Sequence, residues 1–324
     1  MRTTVWARTA AWVLFIMTAG SHVLAADKVV LGTGVDPAFA AFYVGMEKGF
    51  FKKHNIDPEL RLFASGGAST PYLISGDINV SMAGTPAGVI AHARAPQVVM
   101  VAQVGAVRNW FAAVASTSIK DLPALRGKKL GLTIGTTSET NATAALGKVG
   151  MTLKDVSVVN VEPPEMLAAL ERGDIVAYFT WEPWVTRSKD KLGDRVHYLQ
   201  GTTDSESQNN IYMERGWVQK NPDAAVRFLR GLKDTNDFIR TNPKESAQIA
   251  SKTLKLEQSV VERLMAKCEY VLLLKQDAMA YLKSDVETLT KTNRIKGTFD
   301  FKGYVYPDLL RKVDPSLVDY KLPN

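Results

Sequence analysis

Cysteine and histidine are scarce in this chain of 324 residues, which contains one cysteine, Cys268, and four histidines. A single thiol excludes an internal disulfide bond and a zinc site built from several cysteines. His54, His92 and His197 stand far apart in the sequence, and no H-E-x-x-H motif is present. We therefore expect neither a bound metal ion nor a cofactor.

The sequence signatures of several enzyme classes are also missing. The chain has no G-x-S-x-G motif, and it has no Walker A motif because Leu122 occupies the place of the first Walker A glycine. Gly32 and Gly34 begin a pattern similar to a dinucleotide-binding motif, but Pro37 stands where its third glycine belongs. We therefore predict no catalytic residue, and the lack of repeats gives no support to a structural or adhesive role.

The first 25 residues have the pattern of a secretory signal peptide. Arg2 and Arg8 form a positive segment, residues 10–19 are mostly apolar but too few to span a bilayer, and Val23-Leu24-Ala25 resembles a cleavage site. No cysteine lies nearby to carry a lipid anchor. Cleavage after Ala25 and release into the periplasm are therefore predicted, with an uncleaved anchor helix as the alternative.

Positive charge is in modest excess, and the lysines and arginines are not clustered in the sequence. The formal charge of +7 becomes +5 once Arg2 and Arg8 are removed with the signal peptide. This balance is compatible with anionic solutes, whereas a nucleic-acid-binding surface needs lysines and arginines grouped on one face. With 46% hydrophobic and 23% charged residues, the chain has the composition of an ordinary globular protein.

Strand and helix patterns alternate through the chain and predict two α/β lobes. In the first lobe, strands are predicted at 29–31, 59–63, 78–83 and 98–104, and Asp36-Pro37, Thr70-Pro71 and Thr85-Pro86 begin the helices between them. The alternation restarts with strands at 129–134, 156–161 and 176–180. Such repeats favour right-handed βαβ units and a mostly parallel sheet in each lobe.

The chain from Asn221 onward is predicted to be mainly helical. Two extended segments, 110–115 and 211–214, flank the second group of strands, and we interpret them as the two crossovers of a hinge. The first lobe is then predicted at 26–112 and 213–324, and the second at 113–212.

Several segments resemble one known family. The run FYVGMEKGFFKKHNI at 42–56 resembles the opening of the sulfonate-, nitrate- and taurine-binding proteins, a family that also includes binders of thiamine precursors. Further similar segments follow in the family's order and together span roughly residues 29–240: Gly76-Asp77-Ile78, Asp121-Leu122, 125–129, 163–166 and 169–174. The last of these is most similar to the taurine branch.

The resemblance implies a type II periplasmic binding fold, in which two α/β lobes close on a ligand by hinge motion. It also implies the solute-binding component of an ABC importer, a monomer that docks on an inner-membrane permease driven by a separate ATPase. The expected ligand is a small anionic or polar solute, with an aliphatic sulfonate or a taurine-like molecule first. Nitrate, an aromatic acid and a thiamine-precursor pyrimidine remain alternatives. A biosynthetic enzyme on the same fold, of the thiamine-pyrimidine or menaquinone pathway, is the alternative class, and the secretion signal argues against it.

Candidate ligand-binding residues follow from the positions of the predicted strands and helices. Ligands of open α/β sheets bind outside the carboxyl ends of the strands, where helix N-termini offer unpaired N–H groups to anions. Hydroxyl and amide groups there can hold an anion without a buried lysine or arginine, although helix capping explains the hydroxyls equally well. The candidates are Val35, Asp36, Ser65, Gly66, Gly84, Thr85, Thr136, Thr137, Ser138, Trp181, Glu182 and Asn210.

Three of these candidates carry specific expectations. Trp181 comes directly after a predicted strand and is expected to contact the ligand, whereas Trp184, inside the next helix, is expected to pack. Glu182 either pairs with a ligand ammonium or caps its helix. The taurine branch implies an acidic residue near the second crossover, where this chain has Asn210. That departure argues against taurine itself as the ligand.

Overall fold

The computed structural model describes residues 25–203 and 205–323. The predicted signal peptide therefore lies outside the described residues, apart from Ala25. Within the described ranges, no helix combines the length and the apolar character that a membrane span requires.

Twelve strands and fourteen α-helices alternate along the described chain. The strands are β1 Asp27–Gly34, β2 Ile56–Phe63, β3 Val80–Gly84, β4 Val98–Arg108, β5 Phe111–Ser116, β6 Lys129–Leu132, β7 Ser157–Asn160, β8 Ala177–Trp181, β9 Val196–Tyr198, β10 Glu206–Glu214, β11 Cys268–Lys275 and β12 Val318–Asp319. The helices are α1 Ala40–Glu47, α2 Phe50–Lys53, α3 Thr70–Ser75, α4 Thr85–Arg94, α5 Thr137–Gly147, α6 Pro163–Glu171, α7 Trp184–Leu192, α8 Arg215–Lys220, α9 Pro222–Thr241, α10 Pro243–Leu254, α11 Gln258–Met265, α12 Gln276–Lys291, α13 Phe301–Tyr304 and α14 Asp308–Val313.

Local sequence signals explain where the helices beside the strand ends begin. Asp36 caps a short 3₁₀ turn, Pro37–Phe39, because its side chain accepts a hydrogen bond from the Ala38 N–H at 2.7 Å. Thr136 caps α5 in the same way, accepting from the Ser138 N–H at 3.2 Å. At the other end of α3, Gly76 adopts φ 84°, a left-handed conformation that glycine tolerates. The start at Asp36-Pro37 agrees with the predicted one.

The strands form two sheets, which define two lobes. The sheet of the first lobe has the order β12-β11-β4-β10-β3-β1-β2, and the sheet of the second lobe has the order β7-β6-β8-β5-β9. The predicted α/β class and two-lobed architecture are confirmed.

The expectation of a mostly parallel sheet in each lobe is wrong. β1 pairs in parallel with β2 and β3, but β10 runs antiparallel to both β3 and β4. In the second lobe, β5 runs antiparallel to β8 and β9. The reason is the topology of the chain. The chain leaves the first lobe after β4 and returns to it through β10, so these two strands run in opposite directions.

The two predicted crossover segments are strands that belong to the sheets. β5 lies in the second sheet from Phe111 onward, and β10 lies in the first sheet from Glu206 onward. The extended pattern at 110–115 and 211–214 therefore reflects sheet pairing and not a connection between lobes. We propose that the lobe boundaries fall at 109–110 and 199–205.

Buried apolar side chains form one large core in the first lobe and two clusters on the second sheet. A fourth, smaller cluster contains residues of both lobes, beside the connection between β4 and β5. Its buried members are Ala38, Val107, Trp110, Phe111, Trp181 and Leu264. Because burying aromatic surface stabilises a contact strongly, this cluster holds the lobes together at the hinge.

Candidate ligand-binding cleft

A cleft opens between the lobes where the carboxyl ends of β1, β2, β3 and β8 face the N-terminus of α5. Three segments of the first lobe and one of the second supply most of its polar groups. The residues that line it are Asp36, Phe39, Ser65, Gly66, Gly67, Gly84, Ala87, Val107, Trp110, Phe111, Thr136, Thr137, Trp181, Ser207 and Asn209. The polar groups therefore come from both sides of the interface, as the position of the strand ends predicts.

Seven of the twelve predicted ligand-binding residues line this cleft, and five do not. Those in the lining are Asp36, Ser65, Gly66, Gly84, Thr136, Thr137 and Trp181. Those outside it are Val35, Thr85, Ser138, Glu182 and Asn210. Whether the first group contacts a ligand stays a prediction.

The first-lobe candidates that lie outside the lining contact other residues of the protein. Val35 packs against the first-lobe core. Asn210 and Thr85 bind each other, because the Asn210 side-chain amide donates to the Thr85 hydroxyl at 3.1 Å and to the Tyr212 hydroxyl at 3.1 Å. An irregularity in the β4–β10 register lies between Asn209 and Asn210. Asn209 faces the cleft, whereas Asn210 does not.

The second-lobe candidates that lie outside the lining, Ser138 and Glu182, bind to helices and strands of the second lobe. The Ser138 hydroxyl donates to the Phe179 carbonyl at 2.7 Å, which ties α5 to β8. A Glu182 oxygen accepts from the Thr186 N–H at 3.0 Å, so the side chain caps α7. Its other oxygen lies 3.6 Å from the Lys267 ammonium of the first lobe. Of the two alternatives for Glu182, capping is the contact that the structure contains.

Residues that line the cleft carry unpaired hydrogen-bond donors in both lobes. Among the described residues, the N–H groups of Gly66, Gly67 and Thr137 and the Thr137 hydroxyl make no hydrogen bond. The Thr136 hydroxyl, in contrast, donates to the Thr133 carbonyl at 2.7 Å and serves as the cap of α5. Helix N-termini attract anions, so these donors form a seat for an oxyanion.

The lobes also approach each other closely where two glycines face two threonines. A Cβ atom on Gly84 would lie 3.0 Å from the Thr137 methyl, and one on Gly67 would lie 3.1 Å from the Thr136 methyl. The cavity that remains is about 30 Å³, which is room for one or two water molecules. An organic solute therefore needs the lobes to part before it can enter.

An ion pair closes the α5 side of the cleft. The Arg294 guanidinium of the first lobe donates to a Glu139 carboxylate oxygen at 2.6 Å, and the Gly135 N–H donates to the other oxygen at 2.8 Å. Glu139 is only 1% exposed. A buried carboxylate needs such partners, so the pair fixes the α5 N-terminus against the first lobe.

Sequence reasoning did not select eight of the lining residues as candidates. The eight are Phe39, Gly67, Ala87, Val107, Trp110, Phe111, Ser207 and Asn209. One signal could have identified the last two, because a run of uncharged polar residues, 207–210, directly precedes the apolar segment 211–213 in the same strand.

Comparison with known proteins identifies the family. Residues 36–246 match a family profile described as "NMT1/THI5 like". A binding protein of Brucella abortus is 25% identical over 275 residues, which cover 82% of this chain and 85% of that protein. The taurine-binding periplasmic protein of Escherichia coli is 25% identical over 216 residues, covering 66% of this chain and 67% of that protein.

Solved structures share the fold at lower identity. The alkanesulfonate-binding protein SsuA from Xanthomonas axonopodis pv. citri, bound to MOPS, superimposes with a TM-score of 0.75 at 15% identity, covering 86% of this chain and 98% of that protein. The desulfurization enzyme DszB also superimposes, with a TM-score of 0.65 at 14% identity, covering 90% of this chain and 99% of that enzyme. The fold therefore occurs in binding proteins and in at least one enzyme.

Proposed function

This chain belongs to the NMT1/THI5-like family, and from that premise we propose that it is the solute-binding component of an ABC importer. It captures a small solute between its two lobes and carries it to a permease in the inner membrane, which a separate ATPase drives. The proposed compartment is the periplasm, with the signal peptide cleaved after Ala25. A monomer is sufficient for this role, because each chain contains the whole cleft.

The observation that carries the proposal is the cleft with donors from both lobes. The Gly66 and Gly67 N–H groups belong to the first lobe, and the Thr137 N–H and hydroxyl belong to the second. A solute that binds both sets stabilises the closed arrangement over an open one, which couples capture to closure. The aromatic walls exclude water from the bound solute.

The solute that these groups suit is small and carries an oxyanion. An aliphatic sulfonate or a taurine-like molecule is the first choice, supported by the taurine-binding relative and the free donors of the seat. Nitrate, an aromatic acid and a thiamine-precursor pyrimidine are the alternatives, and the experiment below includes them.

Binding without chemical transformation is supported by the side chains present. Among the described residues that line the cleft, Asp36 is the one titratable group, and no cysteine, histidine or lysine is present to act as a nucleophile. A biosynthetic enzyme on this fold would need such a group, so catalysis is the weaker proposal.

Thermal shift and titration calorimetry test the proposal on residues 26–324. Ethanesulfonate, taurine, nitrate, benzoate and a 4-aminopyrimidine are each added to the purified protein, and recovered solutes are examined by mass spectrometry. A specific ligand at a hundredfold excess over its Kd is expected to add about 2.7 kcal/mol to the free energy of unfolding. Lack of stabilisation by every compound would contradict solute capture, and a recovered product would favour the enzyme.

A further inference from the structure

Asp36 is the one titratable side chain among the described residues that line the cleft. It lies just after β1, is 5% exposed, and belongs to the wall formed by Phe39, Trp110 and Trp181. The carboxyl group accepts hydrogen bonds from the Ala38 N–H and from the Trp110 side chain, and a carboxylate can accept about four. Part of its accepting capacity therefore remains available to a ligand.

Within residues 25–203 and 205–323, no cation pairs with Asp36. Its hydrogen-bond donors, the Ala38 N–H and the Trp110 side chain, are neutral, and the nearby Glu182 adds negative charge. The remaining titratable groups that interact with it, Tyr43, Cys268 and Tyr270, are weak acids and not cations. Burial is the main cause that raises the pKa of Asp36 to about 8, and the charge of Glu182 contributes to the rise.

A buried carboxyl group without a cation has two states available to it. It either keeps its proton, or it ionises when a cationic partner arrives, because an unpaired buried charge is costly. The Lys267 ammonium lies near the hinge end of the cleft, but it pairs with Glu182 at 3.6 Å and is not part of the lining. The partner that ionises Asp36 must therefore come with the solute.

The aromatic wall favours the same kind of solute. The faces of Phe39, Trp110, Phe111 and Trp181 carry negative electrostatic potential, which attracts cations and repels anions. A nitrogen-free anion placed here would meet the Asp36 carboxyl group together with these rings. Its oxygen atoms are better placed at the Gly66, Gly67 and Thr137 donors.

We propose that Asp36 binds a nitrogen-bearing cationic group of the solute, such as an ammonium, while the seat of backbone donors binds its oxyanion. The natural solutes are then zwitterions or amines with a compact body, and nitrogen-free sulfonates, carboxylates and nitrate are poor ligands. This inference rests on the proposed function, which it narrows to one chemical class.

Pairs of compounds that differ only in nitrogen test the inference by calorimetry. The pairs are taurine with ethanesulfonate and β-alanine with propionate, each titrated at pH 7 in phosphate and in Tris. In at least one pair the nitrogen member is expected to bind at least about tenfold tighter, the usual scale of a charge-assisted contact. Ionisation of Asp36 should also release close to one proton, measured as the difference in heat between the two buffers.

Asp36→Asn removes the carboxyl group while keeping the helix cap, so it tests the role of the carboxyl group in binding apart from its role in folding. Asparagine caps helices as well as aspartate does, so the variant is expected to fold. Its preference for the nitrogen member should fall to about threefold or less, because the charged contact is lost, and the proton release should disappear. Asp57→Asn, an exposed change on β2, removes the same charge elsewhere and should retain both. Asp36→Glu, which keeps the charge, should restore part of the preference.

The possible results separate this inference from the proposed function. If nitrogen-free members bind as tightly as their partners, or if Asp36→Asn keeps the preference, solute capture stands and the assignment of Asp36 is wrong. Binding of the nitrogen member without proton release would also contradict it. If none of the four compounds binds and the panel in the preceding section also fails, the solute-binding function itself is contradicted.

Discussion

The two rims of the cleft are held together by different forces. The α5 rim, formed by Thr136, Thr137 and Glu139, meets the first lobe through the Arg294 ion pair at 2.6 Å. The hinge rim, formed by Trp181 and Glu182, meets it through aromatic packing with Trp110 and through a backbone hydrogen bond from the Glu182 N–H to the Trp110 carbonyl at 3.0 Å.

The difference indicates which rim opens. Apolar packing and backbone pairing beside a chain connection persist in any arrangement of the lobes, because the atoms cannot separate far. An ion pair between residues 155 positions apart exchanges readily for water on separation. We therefore expect opening at the α5 rim, about an axis near the hinge rim. Four substitutions test this comparison, in decreasing order of expected effect on affinity.

Trp181→Ala is expected to have the largest effect. Removing an aromatic anchor should cost about 2 kcal/mol of binding, or roughly thirtyfold in Kd. Because Trp181 is 7% exposed and packs with Trp110 and Leu264, the free energy of unfolding should also fall by about 3 kcal/mol. Calorimetry and denaturant unfolding measure the two effects.

Trp184→Phe is the matched control for this change. Trp184 is partly buried, lies outside the cleft and packs beneath the Arg187 guanidinium. Trp184→Phe is expected to bind the ligand as tightly as the unsubstituted protein does. If folded Trp181→Ala also bound the ligand that tightly, Trp181 would not contact the ligand and would have a purely structural role in the hinge.

Arg294→Gln is expected to weaken binding about tenfold, since it leaves the buried Glu139 carboxylate without its cation and disfavours closure. Small-angle scattering should show a more extended ligand-free protein. Lys296→Gln removes the same charge from an exposed position two residues away and should change neither quantity. An unchanged Kd for Arg294→Gln would mean that the ion pair does not contribute to closure.

Gly84→Ala is expected to weaken binding by about threefold to tenfold through steric conflict, on the scale of a modest overpacking cost. The new methyl group would lie 3.0 Å from the Thr137 methyl when the lobes close, so the cost falls on the closed state. The ligand-free melting temperature should stay near that of the parent. Gly147→Ala, at the C-terminal end of α5 and away from the cleft, adds a methyl group that meets no atom within 4 Å and is the control.

Lys267→Gln should have the smallest effect, at most about twofold in Kd, as expected for a partly exposed ion pair. Its ammonium lies 3.6 Å from Glu182 and the lysine side chain is 36% exposed, so the pair is looser than the one at Arg294. If Lys267→Gln weakened binding more than Arg294→Gln, the assignment of the opening rim would be reversed.

Helix starts, strand order along the chain and the two-lobed class could be predicted from local chemistry. Asp36, Pro37, Thr70 and Thr136 act over a few residues, through caps and backbone restriction, so their effect is visible in sequence. The same signals identified most of the polar positions of the cleft, because strand ends and helix N-termini define them.

Long-range packing decided the sheet pairing, the direction of side chains at the cleft and the contacts between the lobes. The sheet partners of β5 and β10 depend on the return path of the chain, which periodicity does not encode, and the predicted crossovers were wrong for that reason. Asn209 and Asn210 are chemically identical neighbours, but successive side chains of a strand face opposite sides, and the sheet packing decides that Asn209 is the one that lines the cleft. The Glu139–Arg294 pair joins residues 155 positions apart, so only folding brings their charges into contact.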